Sequence, residues 1–142
     1  MPLLATLPVM LMVMAERSIP LTTGARPVTE QGFARSFEIL AEAALVVAGD
    51  TGLLHLAGAM GVPVLGLFGP TTGADGFWDP GYGRLLELDL PCRPCSLHGG
   101  PACPIGDHLC LEGLDAGEVI AAVEGMRAGA GAGAGAGAEG PA

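Results

Sequence analysis

Asp50-Thr51-Gly52-x-x-His55 is the stretch of this chain whose residue types and spacing best suit chemistry. It stands between an apolar run and a helix-forming one, where unpaired backbone N–H groups and the helix dipole favour an anion. Thr51 adds a hydroxyl, Gly52 lets a phosphate approach the backbone, and His55 supplies a ring nitrogen one turn further on. A plainer reading makes Asp50 the helix N-cap and His55 a surface residue. Gly69-Pro70-Thr71 ends the next apolar run, so its loop faces the same crevice; alone, it is also an ordinary turn. Trp78 and Tyr82, the single Trp and Tyr, either shelter a sugar or base above that crevice or plug the loop.

The four cysteines offer a second chemistry. Cys92-x-x-Cys95 is followed by Cys103 and Cys110, a compact pair and two looser positions. Four thiolates suit a tetrahedral zinc, with His98 and His108 as substitutes, but a second CxxC is missing. Free structural thiols and redox pairing are the other readings.

The positioning elements follow from the apolar pattern. Ala44–Ala48 and Val64–Phe68 are continuous apolar runs, the mark of strands buried on both faces. Between them Leu53–Met60 reads as a helix, stopped by Gly61 and Pro63. Strand, turn, helix and strand in so few residues make a βαβ unit. Upstream, Phe33, Phe37 and Leu40 recur at helical spacing within Gly32–Ala43, after a polar loop over Glu16–Gln31. Downstream, Arg84–Asp89 reads as a strand. Asp115–Met126 reads as a helix opened by Asp115-x-x-Glu118, with Val119, Ile120, Val123 and Met126 on one face. The Gly-Ala alternation over 128–142 offers nothing to a core and is expected to be a disordered tail behind a Rossmann-like domain of residues 1–127.

Composition limits the partners. Against 15 acidic residues stand six arginines and no lysine, a formal charge of −9. Nucleic-acid binding through a basic face is excluded, because such a chain repels a phosphate backbone. Any bound phosphate must rest on backbone N–H groups and a few polar side chains. The apolar run Val9–Ala15 has no basic residue before it and is too short to span a bilayer. It reads as a buried strand, so no transmembrane segment or export signal is expected, and the cysteines are expected in a reducing compartment.

The run AGDTGLLHLAGAMGVPVLGLFGPTTGADGFWDPG, followed by PCRPC, resembles glycosyltransferase family 9, the ADP-heptose:lipopolysaccharide heptosyltransferase-like enzymes. The likeness covers roughly Phe33 to Met126. It implies a GT-B enzyme and, here, part of its C-terminal donor-binding domain: an α/β fold with a Rossmann-like parallel sheet and flanking helices. By resemblance, Asp50, Thr51, Gly52, Leu53 and His55 hold the donor diphosphate, with Gly69, Pro70 and Thr71 as a donor-site loop. The implied reaction moves heptose from ADP-heptose, or a similar nucleotide sugar, to the lipopolysaccharide core, without cofactor or metal. The enzyme would act in the cytoplasm or at the inner face of the inner membrane. The acceptor site and the catalytic carboxylate belong to an N-terminal domain with no counterpart here. No catalytic residue is therefore assigned, and the chain is expected to be a fragment, inactive alone. The alternative is a small zinc-binding interaction module built on Cys92, Cys95, Cys103 and Cys110.

Overall fold

Leu45–Ala48 (β2) and Val64–Phe68 (β3) lie side by side and parallel in the computed structural model, which describes residues 9–11, 32–75, 78–97 and 102–133. Val9–Leu11 (β1) pairs with the far edge of β2, and Gly83–Glu87 (β4) with the far edge of β3. All three pairings are parallel and the strand order is β1-β2-β3-β4. Parallel neighbours need crossovers. Phe33–Glu42 (α1) lies in the first and Gly52–Ala59 (α2) in the second, whereas β3 reaches β4 through a loop with two short 3₁₀ turns. The expected α/β fold with a parallel sheet and flanking helices is what forms.

Alternation along the strands divides the core in two. Val46, Ala48, Val64 and Phe68 face Leu40 of α1 and Leu54 and Ala57 of α2. Leu45, Val47 and Leu65 face the other way, onto Ala122 of Ala116–Gly133 (α4), with Val119, Val123 and Met126 around it. The central strands are thus covered on both sides, which explains why neither carries a polar residue. Gly61 ends α2 in the left-handed region (φ +78°). There its N–H reaches Gly58 O while that of Val62 reaches Ala57 O. This paired closure satisfies the carbonyls of the last turn and turns the chain into β3.

Three expectations need correction. On α1 only Leu40 is buried, while Phe33 and Phe37 stand exposed. Helical spacing identifies an apolar stripe but does not supply the surface that covers it. On α4, Ile120 is exposed and Ala122 takes the inward position, because the sheet-facing stripe runs 119, 122, 123, 126. The same helix continues to Gly133, so residues 128–133 are helical where a disordered tail was expected. Once a packed segment has formed the nucleus, adding alanine-rich turns is inexpensive even with intervening glycines. The loop expected over Glu16–Gln31, most of the first strand segment, His98 and residues 134–142 lie outside the described residues.

Candidate donor-phosphate site

Thr51, not Asp50, caps α2. Its backbone is extended (φ −138°, ψ 160°) and its hydroxyl oxygen accepts from the Leu54 N–H at 3.4 Å. Asp50, freed from capping, points its Oδ1 at Nε2 of His55, 3.0 Å away. The two plain readings expected from sequence are therefore both replaced: the carboxylate orients the imidazole and the hydroxyl caps the helix. With Nε2 engaged by Asp50, Nδ1 is left to carry the lone pair of the neutral ring or the second proton of the imidazolium.

The N–H groups of Leu54 and His55 are consumed by the Thr51 carbonyl. Gly52 and Leu53 occupy the first two helical positions, whose N–H groups have no partner within the helix. Gly52 is exposed, and nothing lies within 4 Å of the place where a side-chain carbon would stand. The approach to these amides is open.

Beside the turn, Gly49, Asp50, Leu67, Gly69, Pro70, Thr71 and Leu111 line a cleft of about 190 Å³. The structure thus brings Asp50 together with all three residues of the predicted loop. Thr51, Gly52, Leu53 and His55 sit on the adjoining turn and are not part of the lining. The volume is below the several hundred Å³ usual for a complete ligand pocket. A cleft of this size, at the C-terminal ends of β2 and β3, suits a phosphate group more than a whole nucleotide. Among the described strands the order never reverses, so the recess does not come from a topological switch point. It comes from the loop after β3 and from Leu109–Glu112 (α3), whose Leu111 closes one side. A side-chain carbon at Gly69 would stand 2.4 Å from Leu111 Cγ, so Leu111 would have to swing aside.

Trp78 and Tyr82 turn away from a sheltering role. Both pack on the core, with Trp78 edge-on to Phe68 (centroids 5.9 Å apart) and Tyr82 edge-on to Trp78 (6.0 Å). Tyr82 also meets the His55 ring edge-on at 6.4 Å, giving the imidazole an apolar neighbour opposite its carboxylate.

Sequence reasoning missed Arg93, hidden inside the Cys92-x-x-Cys95 motif. Its side chain is 5% exposed, and its guanidinium donates to Gly69 O (2.5 Å), Thr71 O (2.8 Å), Leu88 O and Glu87 Oε2 (2.8 Å). Nothing marks it out among the six arginines, and its bonds to the loop span 22 to 24 residues and leave no local pattern. The cysteines, by contrast, are not gathered into a metal-binding cluster: among the described residues no three His, Cys, Asp or Glu side chains are grouped to hold a metal ion. Cys95 faces Pro70 O, Cys110 is buried, and Cys103 lies in its own loop. The backbone N–H of His108, helped by those of Ile105, Asp107 and Gly106 and opposed by slight desolvation, holds the Cys103 thiol below its ordinary range. Burial, reinforced by the sulfurs of Cys103 and Cys95, pushes Cys110 up.

Residues 29–95 are similar to the family described as glycosyltransferase family 9 (heptosyltransferase). Over 61 residues the chain is 52% identical to lipopolysaccharide heptosyltransferase 1 of Pseudomonas aeruginosa, covering 41% of this chain and 16% of that protein. It is 32% identical over 77 residues to lipooligosaccharide heptosyltransferase 2 of Campylobacter jejuni serotype O:2, covering 54% and 23%. The serotype O:6 counterpart is 28% identical over 81 residues, covering 56% and 25%. The matches span at most a quarter of the length of these curated relatives. No solved structure matches.

Proposed function

From a chain that is glycosyltransferase family 9 (heptosyltransferase)-like over residues 29–95, we propose that the turn after β2 and the loop after β3 hold the diphosphate of a nucleotide-sugar donor. The observation that carries this reading is that one cleft joins Asp50 to the Gly69-Pro70-Thr71 loop, with the first amides of α2 on Gly52 and Leu53 and the His55 ring on the adjoining turn. ADP-heptose is the donor that the names of the relatives suggest, and a lipopolysaccharide-core sugar the acceptor. On this reading the amides and the helix dipole take the negative charge that gathers on the diphosphate as its bond to the sugar breaks. The acceptor hydroxyl also needs a base. Asp50 is a poor one, since it is tied to His55. The second wall of the cleft and the base would come from an N-terminal domain. No described helix is long and apolar enough to cross a membrane, which suits work at the cytoplasmic face.

Calorimetry with ADP tests the donor site. Gly52→Val fills the open approach with a branched side chain whose Cβ meets nothing within 4 Å. ADP affinity is expected to fall about tenfold or more, the loss of one charge-assisted hydrogen bond, with the fold retained. Equal affinity in the folded variant places the phosphate elsewhere. Transfer is a separate matter. Orientation of two substrates supplies about 7–11 kcal/mol of barrier lowering in favourable cases, and one wall cannot provide it. The purified chain is expected to bind ADP without glycosylating a lipopolysaccharide acceptor. Mass spectrometry of the acceptor checks this, and turnover by the chain alone overturns it.

A further inference from the structure

The Gly69-Pro70-Thr71 loop has three successive carbonyl groups, and one short segment takes all three. Arg93 Nε donates to Gly69 O, Arg93 Nη2 donates to Thr71 O, and the backbone N–H of Cys95 donates to Pro70 O at 3.1 Å. The remaining Nη1 donates to Leu88 O just beyond β4, and Nη2 also meets Glu87 Oε2. Glu87 closes the circuit, since its Oε2 accepts from the Gly73 N–H at 3.1 Å. Loop, sheet edge and cysteine segment are joined through one guanidinium.

The arrangement has two consequences for the cleft. A peptide carbonyl carries the negative end of a large dipole, and three of them turned into a phosphate site would repel an anion. Here they are directed at a cation and an amide, away from the cleft. A buried guanidinium also needs nearly all of its N–H groups paired, so the loop can occupy few other positions without leaving charge unsatisfied. Lysine cannot replace it, because a single ammonium lacks the planar fork that reaches carbonyls on two sides.

We propose that Arg93 is a positioning residue for the donor cleft: by holding the carbonyls of Gly69 and Thr71 it sets the loop wall opposite Asp50 and keeps that wall receptive to an anion. Arg93 does not touch the ligand and acts through residues 69–71. The inference rests on the donor-site reading above for its ligand, but not for the loop geometry, and the two can be tested apart.

The experiment combines amide hydrogen exchange with ADP calorimetry on the full chain, comparing wild type, Arg93→Lys and Glu87→Gln. In Arg93→Lys the Gly73 and Cys95 amides are expected to exchange about tenfold faster, while those of α2 and β3 keep their protection. ADP affinity is expected to fall about tenfold or more, as befits the loss of charge-assisted bonds. Free methylguanidinium added to Arg93→Ala is expected to restore both readouts in part, which a general loss of stability would not permit. Unchanged exchange in a folded Arg93→Lys, or faster exchange with wild-type ADP affinity, overturns the proposal. If the lysine variant does not fold, Glu87→Gln decides: it leaves Arg93 in place, weakens its Nη2 contact, and must still speed exchange at Gly73, or the proposal fails. If wild type does not bind ADP, the donor-site reading falls, and Arg93 as a loop-positioning residue stands or falls on the exchange and its rescue.

Discussion

The βαβ unit from Leu45 to Phe68 and the segment from Cys92 to Gly113, whose Leu111 closes one side of the cleft, are built on opposite principles. In the first, Val46, Leu54, Val64, Leu65 and Phe68 are fully enclosed, and the backbone is paired within strands and helix. Among the described residues of the second, Leu97, Ile105, Leu109 and Leu111 are exposed, and the regular structure is a single four-residue helix. Burial holds one wall and a few directed hydrogen bonds hold the other. The two kinds of wall should fail differently, since burial is spread over many side chains and the polar staple is concentrated in Arg93.

The largest expected effect is on the apolar wall. Phe68→Ala removes a fully buried aromatic side chain from the junction of β2, β3 and α2, and should cost about 3–5 kcal/mol by urea denaturation. Leu97→Ala, in the Cys92–Gly113 segment and 66% exposed, should stay within about 0.5 kcal/mol. Similar costs at the two positions would erase the contrast.

A smaller effect sharpens it. Two cysteines in the polar wall differ in surroundings: Cys103 sits among backbone N–H groups that favour its thiolate, and Cys110 is buried. Iodoacetamide reacts with the thiolate, so Cys103 should be labelled faster than Cys110 as pH rises toward the ordinary thiol value of 9.0. The linkage signs are opposite. The lowered Cys103 favours the fold above its unfolded value, a contribution lost as pH falls through the folded one. The raised Cys110 favours the fold below its unfolded value, a contribution lost as pH climbs through its folded one. Mass spectrometry of labelled peptides reads the order directly, and earlier labelling of Cys110 would show that this wall opens.

The least effect belongs to the end of the chain. Deleting Ala128–Ala142 removes the last turns of α4, made of Gly and Ala, and leaves Ala122, Val123 and Met126 on the sheet. Urea denaturation should show a change under about 1 kcal/mol. A larger loss would mean that these residues are docked.

This division also governs what could be read from sequence. The strands at Leu45–Ala48 and Val64–Phe68 were legible because burial on both faces demands an unbroken apolar run, and burial on both faces is what they have. The stop at Gly61 was legible for a local reason, the left-handed backbone that closes α2. At the site, residue types were legible and their bonding was not. Asp50 and Thr51 are both good N-caps, and only the backbone angles decide that Thr51 takes the position and leaves Asp50 to His55. Arg93 left no trace, because a hydrogen bond to a carbonyl some twenty residues away asks nothing of the side chains at either end.

Trp78 lies on the seam between β3 and the turn that carries Tyr82, and its place there has an optical consequence. It is the chain's single tryptophan, set edge-on between Phe68 of the core and Tyr82, which in turn touches the His55 ring. Its emission is therefore an intrinsic, label-free gauge of that seam, with no second indole to confound it. Melting of the core would expose the indole to water and shift the spectrum to the red. A change confined to the turn at His55 would reach it through Tyr82 and alter intensity with little shift in wavelength. One fluorophore, already in the sequence, can separate loss of the scaffold from rearrangement of the site.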